Sequence, residues 1–387
     1  MRKIYSLLIL LTFIKVLSAQ RIDDISFGAD ETLEVVTWNI ERFPKNGETT
    51  MDYVVQVIET LNADVYALQE ISDTTLFKQM AEGMEAYEWY FDRGWFGGLA
   101  YVYNKNTVEI LDMYKIYDSQ AYWKAFPRSP LVMEMRFGNE NYIIINNHFK
   151  CCGDGILDVN SSNDEENRRL TASNLLKQYI DNNLENEKVI VVGDLNDILT
   201  DNSTNNVFQT FLDDTDNYQF TDLDIALGSN SDWSFPGWPS HLDHILITNE
   251  LFDEFKNPGS SLQVIKVDDY LDGGLSEYDS NISDHRPVAL KLLSNLHVGI
   301  DDPNQTVASM SSYPNPFKNK TTIAFTTVKA DAEIVIFNLQ GKKVDTLFVT
   351  KGKSSIIWNA EALATGVYLA KLIVNHKTIS SGKIILI

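Results

Sequence analysis

Short apolar runs that end in acids, amides or histidines recur along most of the chain. VIVVGDLND (189–197) sets the pattern. Val189 to Val192 form a continuous β-branched run suited to a doubly covered strand. Gly193 closes it, and Asp194, Asn196 and Asp197 follow at its carboxyl end, where α/β sheets gather their chemistry. LEVVTWNIERF, from Leu33, brings Asn39 and Glu41 to a strand end, DVYALQEI (64–71) ends on Gln69-Glu70, and YIIINNHFK (142–150) ends on His148 and Lys150. LDHILI (242–247) carries Asp243, and VALKLL (288–293) follows Asp284 and His285. Segments 97–103 and 108–114 read as neighbouring strands joined at Asn104-Lys105-Asn106, and Arg128 precedes the strand in FPRSPLVMEMRF. Helical spacing covers 50–61 and 168–182, whereas 158–167 is a polar loop and 200–240 is loop-rich, with Trp233, Phe235 and Trp238 close together. Strands alternating with helices, then mixed with long loops, predict a layered α/β sandwich with mixed sheets.

The texture changes twice more. Residues 1–19 carry Arg2 and Lys3 before the apolar run Leu7 to Ile14 and end on Ser18-Ala19, the pattern of a secretory signal rather than a membrane anchor. No later stretch is apolar enough to span a bilayer. Residues 295–312 are polar and patternless, a linker. Beyond them, short strands separated by Gly, Asn and Lys turns predict a small all-β sandwich over 313–387.

Charge narrows the class of partner. The net of −22 is unevenly spread. Residues 311–387 hold ten Lys against four acids, and the first 19 add three positive charges, which leaves −31 on residues 21–310. So acidic a domain excludes tight nucleic-acid binding through a broad basic face. A phosphate substrate must be received through bound metal or a few local cations. The two cysteines, Cys151 and Cys152, are adjacent, which excludes a disulfide framework and favours free thiols in a tight turn.

The motifs TWNIERF, LQE, NHFK, GDLN, LDHILI and SDHRPV stand in order across residues 33–293. Together they resemble the endonuclease/exonuclease/phosphatase superfamily, and NHFK is similar to its large secreted bacterial nucleases. The resemblance implies an α/β fold: a four-layer sandwich with two central mixed β-sheets flanked by helices, over residues 20–294. It also implies a hydrolase of phosphate esters that uses Mg²⁺, or alternatively Ca²⁺ or Mn²⁺. On this resemblance Asn39, Glu70 and Asp284 are metal ligands. Asp243 orients His285, which activates water, and Asp194 helps place that water. Asn196 grips a non-bridging oxygen, His148 donates to the phosphate, and Arg128 and Lys150 add phosphate contacts. YPNPF (313–317), IFNLQGKKV and GVYLAKLIV resemble a type IX secretion sorting domain, which implies a bacterial protein that is secreted or attached at the cell surface by that machinery.

One place departs from the pattern. Pancreatic-type DNases carry a Glu before the third strand that pairs with the first histidine, and here Gly97-Gly98 occupies it. The partner of His148 is thus left open between Asp154 and Lys150. The expected activity is that of a monomeric extracellular nuclease acting on DNA or RNA. The alternative is a phosphomonoesterase or phospholipid-head-group hydrolase, inositol-phosphatase-like or sphingomyelinase-like. PSHLDHIL (239–246) resembles an inositol-phosphatase signature, but the basic residue those enzymes carry after GDxN is missing.

Overall fold

The computed structural model describes residues 21–29, 31–92, 97–293, 310–325, 331–338, 342–361, 363–374 and 377–387. The predicted signal (1–19) and nearly all of the linker lie outside the described residues. The chain divides into two units, Met1–Asn295 and Leu296–Ile387.

The larger unit holds two six-stranded sheets. The first contains β1 (Thr32–Phe43), β2 (Val65–Ile71), β3 (Tyr87–Asp92), β4 (Gly98–Asn104), β11 (Ser261–Val264) and β12 (Val288–Leu293), in the order β11-β12-β1-β2-β4-β3. The second contains β5 (Val108–Lys115), β6 (Leu131–Phe137), β7 (Glu140–His148), β8 (Val189–Asp194), β9 (Tyr218–Phe220) and β10 (Asp243–Thr248), in the order β5-β6-β7-β8-β10-β9. β1–β2 and β7–β8 are parallel and the other pairs antiparallel, so both sheets are mixed. Residues 97–103 and 108–114 do not pair with each other as expected. After Asn104 the chain crosses from one sheet to the other: Asn104 N–H and the Thr107 hydroxyl both bond to Asp64, and β5 then pairs with β6.

Three apolar layers follow from side-chain alternation along the strands. Leu33, Val35, Val65, Ala67, Tyr142, Ile144, Ile190, Val192, Ile245 and Ile247 fill the space between the sheets. Val36, Trp38 and Ile40 face the other way, against Val54, Val57, Ile58 and Leu61 of α1 (Gly47–Leu61) and Phe77 and Met80 of α2 (Thr74–Glu82). Ile143, Ile145, Val189 and Val191 pack on Leu176 and Ile180 of α3 (Glu165–Asn183). Helices therefore cover both outer faces.

The smaller unit has a three-stranded sheet, Met310–Tyr313, Lys320–Phe325 and Ser355–Asn359, and a four-stranded sheet, Ala332–Asn338, Lys343–Val349, Gly366–Val374 and Lys377–Leu386. Its core includes Phe317, Ile323, Ile334, Ile336, Trp358, Tyr368, Leu372 and Ile384. Its first strand takes in the last residues that composition assigned to the linker. No helix of the described residues is long and apolar enough to cross a membrane.

Candidate active site

The site is the polar continuation of the inter-sheet core. Rows that begin Leu33, Val35 and Tyr142, Ile144 and Ile190, Val192 keep their parity and end on Asn39, His148 and Asp194. Asp243 starts the row that continues with Ile245 and Ile247. Register places three of them side by side, because His148 partners Asp194 across β7–β8 and Asp243 partners Asp194 across β8–β10. Gly193 permits that approach: at φ +148°, a Cβ there would stand 2.0 Å from the Asn147 carbonyl oxygen.

A polar layer separates the site from the apolar core. Gln69 Nε2 donates to Thr37 Oγ1 (3.0 Å) and Asn146 Oδ1 (2.8 Å), and the Tyr101 hydroxyl donates to the Leu131 and Ile144 carbonyls (both 2.9 Å). Strict alternation would turn Glu70 away from this layer. Its φ of +65° breaks the alternation, and Gly97, whose Cβ would lie 2.8 Å from the Glu70 Cα, leaves room for that backbone. The glycine that departs from the DNase pattern thus supports Glu70. The Glu70 carboxylate accepts from Asn39 Nδ2 (3.3 Å) and from the Arg42 N–H (3.0 Å).

His285 and Asp284 arrive from the loop before β12. His285 Nδ1 lies 2.7 Å from Asp243 Oδ2, while Nε2 faces Asp194 Oδ2 (3.9 Å) and Asp284 Oδ1 (3.8 Å). Its carbonyl is held by Trp38 Nε1 (3.0 Å) and the Tyr278 hydroxyl (2.5 Å), and its N–H donates to Ser283 Oγ (3.0 Å). Phe235 packs on its ring, with centroids 4.8 Å apart. Asp194 Oδ2 also accepts from Asn39 Nδ2 (2.9 Å) and lies 3.3 Å from His148 Nε2. Sequence reasoning passed over Trp38, Ser283 and Phe235 as site supports, although the first two sit inside the motifs TWN and SDH.

Electrostatics sharpen this geometry. Burial would lower the His285 pKa, but Asp243, Asp194 and Asp284 lift it to about 10. Burial raises Asp194 to about 7, with Asp243 and Glu70 adding to the rise, and raises Asp284 to about 6. His148 is held well below the usual histidine range by burial, Arg128 and His285. Burial also lowers Arg128, against the opposing charges of Glu70 and Asp194.

The residues present suit a hard divalent cation. Buried Asp284 Oδ1 and Asp243 Oδ1 have no hydrogen-bond partner among the described residues, and Asp194, Asp243 and His285 offer ligand atoms within 4.8 Å of one another. Glu70 adds further carboxylate oxygens, a donor set suited to Mg²⁺, while Asn39 turns Nδ2 to Glu70 and Asp194 and its Oδ1 accepts from the Glu41 N–H (3.1 Å). Two expected residues sit differently. Lys150 Nζ turns to the Cys151 carbonyl (2.7 Å) and Glu165 (3.8 Å), and Asn196 donates to Asp194 Oδ1 through its backbone (3.1 Å) and to the Phe149 carbonyl through Nδ2 (3.3 Å). Neither Lys150 nor Asp154 partners His148, whose buried Nδ1 makes no hydrogen bond among the described residues. Cys151 and Cys152 are free thiols.

A second buried network, unforeseen from sequence, backs the first. His244 Nε2 donates to the Asp197 carbonyl (2.8 Å), and its Nδ1 lies 2.5 Å from Asp222 Oδ2. A carbonyl only accepts, so Nε2 carries a proton, and the carboxylate favours one on Nδ1 as well. Burial opposes that charge, but Asp222 raises the His244 pKa. His241 Nδ1 accepts from the Ser234 N–H (3.2 Å), which leaves its proton on Nε2, facing Asp222 at 3.0 Å. This ties the GDLN loop to β10.

A model of the Endonuclease/Exonuclease/phosphatase family matches residues 36–285, and a model of the secretion system C-terminal sorting domain matches residues 311–387. No curated protein sequence matches. Among solved structures, D. rerio TDP2 complexed with single strand DNA product is 14% identical with a TM-score of 0.51, over 68% of this chain and 99% of that one. The human Nocturnin catalytic domain with bound sulfate anion is 14% identical at 0.48, over 68% and 94%. The Bacteroides thetaiotaomicron mannosyl-6-phosphatase is 14% identical at 0.45, over 67% and 99%. At such identity the TDP2 likeness speaks to the fold alone.

Proposed function

The chain belongs to the endonuclease/exonuclease/phosphatase family, and from that membership we propose that it is an extracellular nuclease that hydrolyses DNA or RNA by water attack on phosphorus. It is a metal-dependent phosphoester hydrolase, and its sorting domain makes it a secreted or cell-surface bacterial protein.

The observation that carries the proposal is the His285–Asp243 pair, held at 2.7 Å with Nε2 turned toward Asp194 and Asp284. Asp243 fixes the ring so that Nε2 can take a proton from water, and Asp194 holds that water. Glu70, Asn39 and Asp284 would hold Mg²⁺. When bound, the ion supplies polarisation of the phosphoryl oxygen and cancels the carboxylate field that otherwise keeps His285 protonated. Arg128 faces the charge that builds on the phosphate, and His148, kept neutral by burial, donates a hydrogen bond to it. The export signals and NHFK favour polymeric nucleic acid over a cytosolic metabolite.

Trp238, 78% exposed, tips a short hairpin whose base, Phe235, touches His285. An exposed aromatic there suits a nucleobase, because every base offers a face for stacking. The rival phosphomonoesterase reading draws on PSHLDHIL, but His241 of that motif is buried against Asp222 and not presented to a substrate. Mg²⁺-dependent assays on DNA, RNA, a diester dye, inositol phosphates and sphingomyelin separate the two. Strand scission supports the nuclease, whereas phosphate release from inositol phosphates, or phosphocholine from sphingomyelin, without scission overturns it. Given −31 on residues 21–310, activity should fall less with salt than counterion release from a basic binder demands.

A further inference from the structure

Outside the site, three carboxylates converge on the loop that connects β7 to α3. Asp154, Asp164 and Glu166 each offer a ligand oxygen within 4.8 Å of the others. Each gives one oxygen to the protein. Asp154 Oδ1 accepts from the Ile156 N–H (3.0 Å), and Asp164 Oδ1 caps α3 at the Asn167 N–H (2.8 Å). Glu166 Oε1 accepts from the Gly155 N–H (2.8 Å) and from Arg169 (3.1 Å). The second oxygen of each makes no hydrogen bond among the described residues. In Glu166, which is 2% exposed, that oxygen is wholly buried.

A buried carboxylate oxygen without a donor is costly unless something positive meets it. Arg169 does not. It reaches Oε1, and the rest of its guanidinium is taken by Asp197 (2.8 Å) and by the Lys150 and Cys152 carbonyls (2.8 and 2.7 Å). One positive charge therefore faces Glu166 and Asp197, with Asp154 and Asp164 alongside.

We propose that this loop is a Ca²⁺ site, with the carboxylates of Asp154, Asp164 and Glu166 as its protein ligands, distinct from the site at Glu70 and Asp284. The donors are hard oxygens from an irregular loop and the start of α3, which suits the large and adaptable shell of Ca²⁺ better than the strict octahedron of Mg²⁺ or the nitrogen and sulfur set of Zn²⁺. Extracellular Ca²⁺ modules bind at roughly 10⁻⁴–10⁻³ M, the range in which an exported protein would use such a site. The ion would order the chain that leads from His148 into α3.

The test is Ca²⁺ titration of the EDTA-stripped full-length protein, read by calorimetry and by melting temperature. The wild type is compared with Asp154→Asn/Asp164→Asn, which keeps the turn and the helix cap, and with Glu70→Gln. The proposal expects a Ca²⁺-induced rise in melting temperature that survives in Glu70→Gln and is lost in the double variant, whose affinity falls at least tenfold. It is overturned if the double variant responds as the wild type does, or if no protein responds at millimolar Ca²⁺. Hydrogen exchange on the wild type needs no variant. Ca²⁺ should slow exchange over residues 151–166, and unchanged exchange there also overturns the site.

Discussion

Both ends of the sheet sandwich bury acids, yet only one end is built for chemistry. Where β1 and β2 begin, Glu34 and Asp64 line a cavity of about 180 Å³ with Thr32, Thr107 and Asn104. Apart from each other, their partners are neutral: Ala29 N–H donates to Glu34 (3.1 Å), Glu34 N–H donates to Asp64 (2.9 Å), and Thr32 and Thr107 donate their hydroxyls. Lys291, the cross-strand neighbour of Glu34, gives its ammonium to the Phe27 carbonyl instead (2.9 Å). Burial lifts Glu34 to about 8, despite the bond from Thr32, so a proton serves as its counter-charge near neutrality. Where the strands end, burial lifts Asp194 and Asp284 in the same way, but the charges of His285 and Arg128 oppose them and two buried carboxylate oxygens make no hydrogen bond among the described residues. Buried acids alone therefore do not mark a site. What marks it is that acids, bases and unpaired oxygens converge where β1, β2, β7 and β8 end and where β10 and β12 begin, so that loops from both sheets meet.

Substitutions at the two ends should separate most sharply in turnover. His285→Ala is expected to lower kcat/KM on a phosphodiester by about 10²–10⁴, the usual scale for losing a general base. Glu34→Gln should leave kcat/KM unchanged, and a comparable loss there would erase the contrast.

A smaller effect is expected at the rim. Trp238→Ala should raise KM for single-stranded DNA by roughly tenfold, since stacking on one base is worth about 1–3 kcal/mol, and should leave kcat alone. An equal effect on a small diester lacking a base would argue against stacking.

The smallest effect is on the pH dependence of stability. Because the folded Glu34 pKa is raised from 4.5 to about 8, its contribution is complete below 4.5 and is lost as pH rises through 8. Glu34→Gln should flatten the melting-temperature profile between those values, by about 2–4 °C for each kcal/mol involved. An unchanged slope would mean that Glu34 is ionised throughout.

Much of this contrast was legible in the residues themselves. The runs at 65–68, 142–145 and 189–192 are apolar on both faces, and 33–40 is mostly so, which a doubly covered strand explains, and their polar ends gave Asn39, Glu70, His148 and Asp194. Local patterns said less about what depends on pairing. The turn at 104–106 has ordinary hairpin chemistry, and only the bonds to Asp64 reveal that it changes sheets. Lys150 looked free to reach a phosphate, but Arg169, from α3, pins the backbone around it. His241 and His244 flank Asp243 in sequence, yet alternation and the loop turn both toward Asp222 rather than the site.

The central claim, that these strand ends hold a divalent cation and a phosphoryl group together, is tested most directly by plasmid DNA incubated with the EDTA-stripped protein before and after Mg²⁺ is added back. The account predicts no scission without metal, scission on its return, and none at either stage with Glu70→Gln. Scission that persists in EDTA, or full metal-dependent activity in Glu70→Gln, would contradict it.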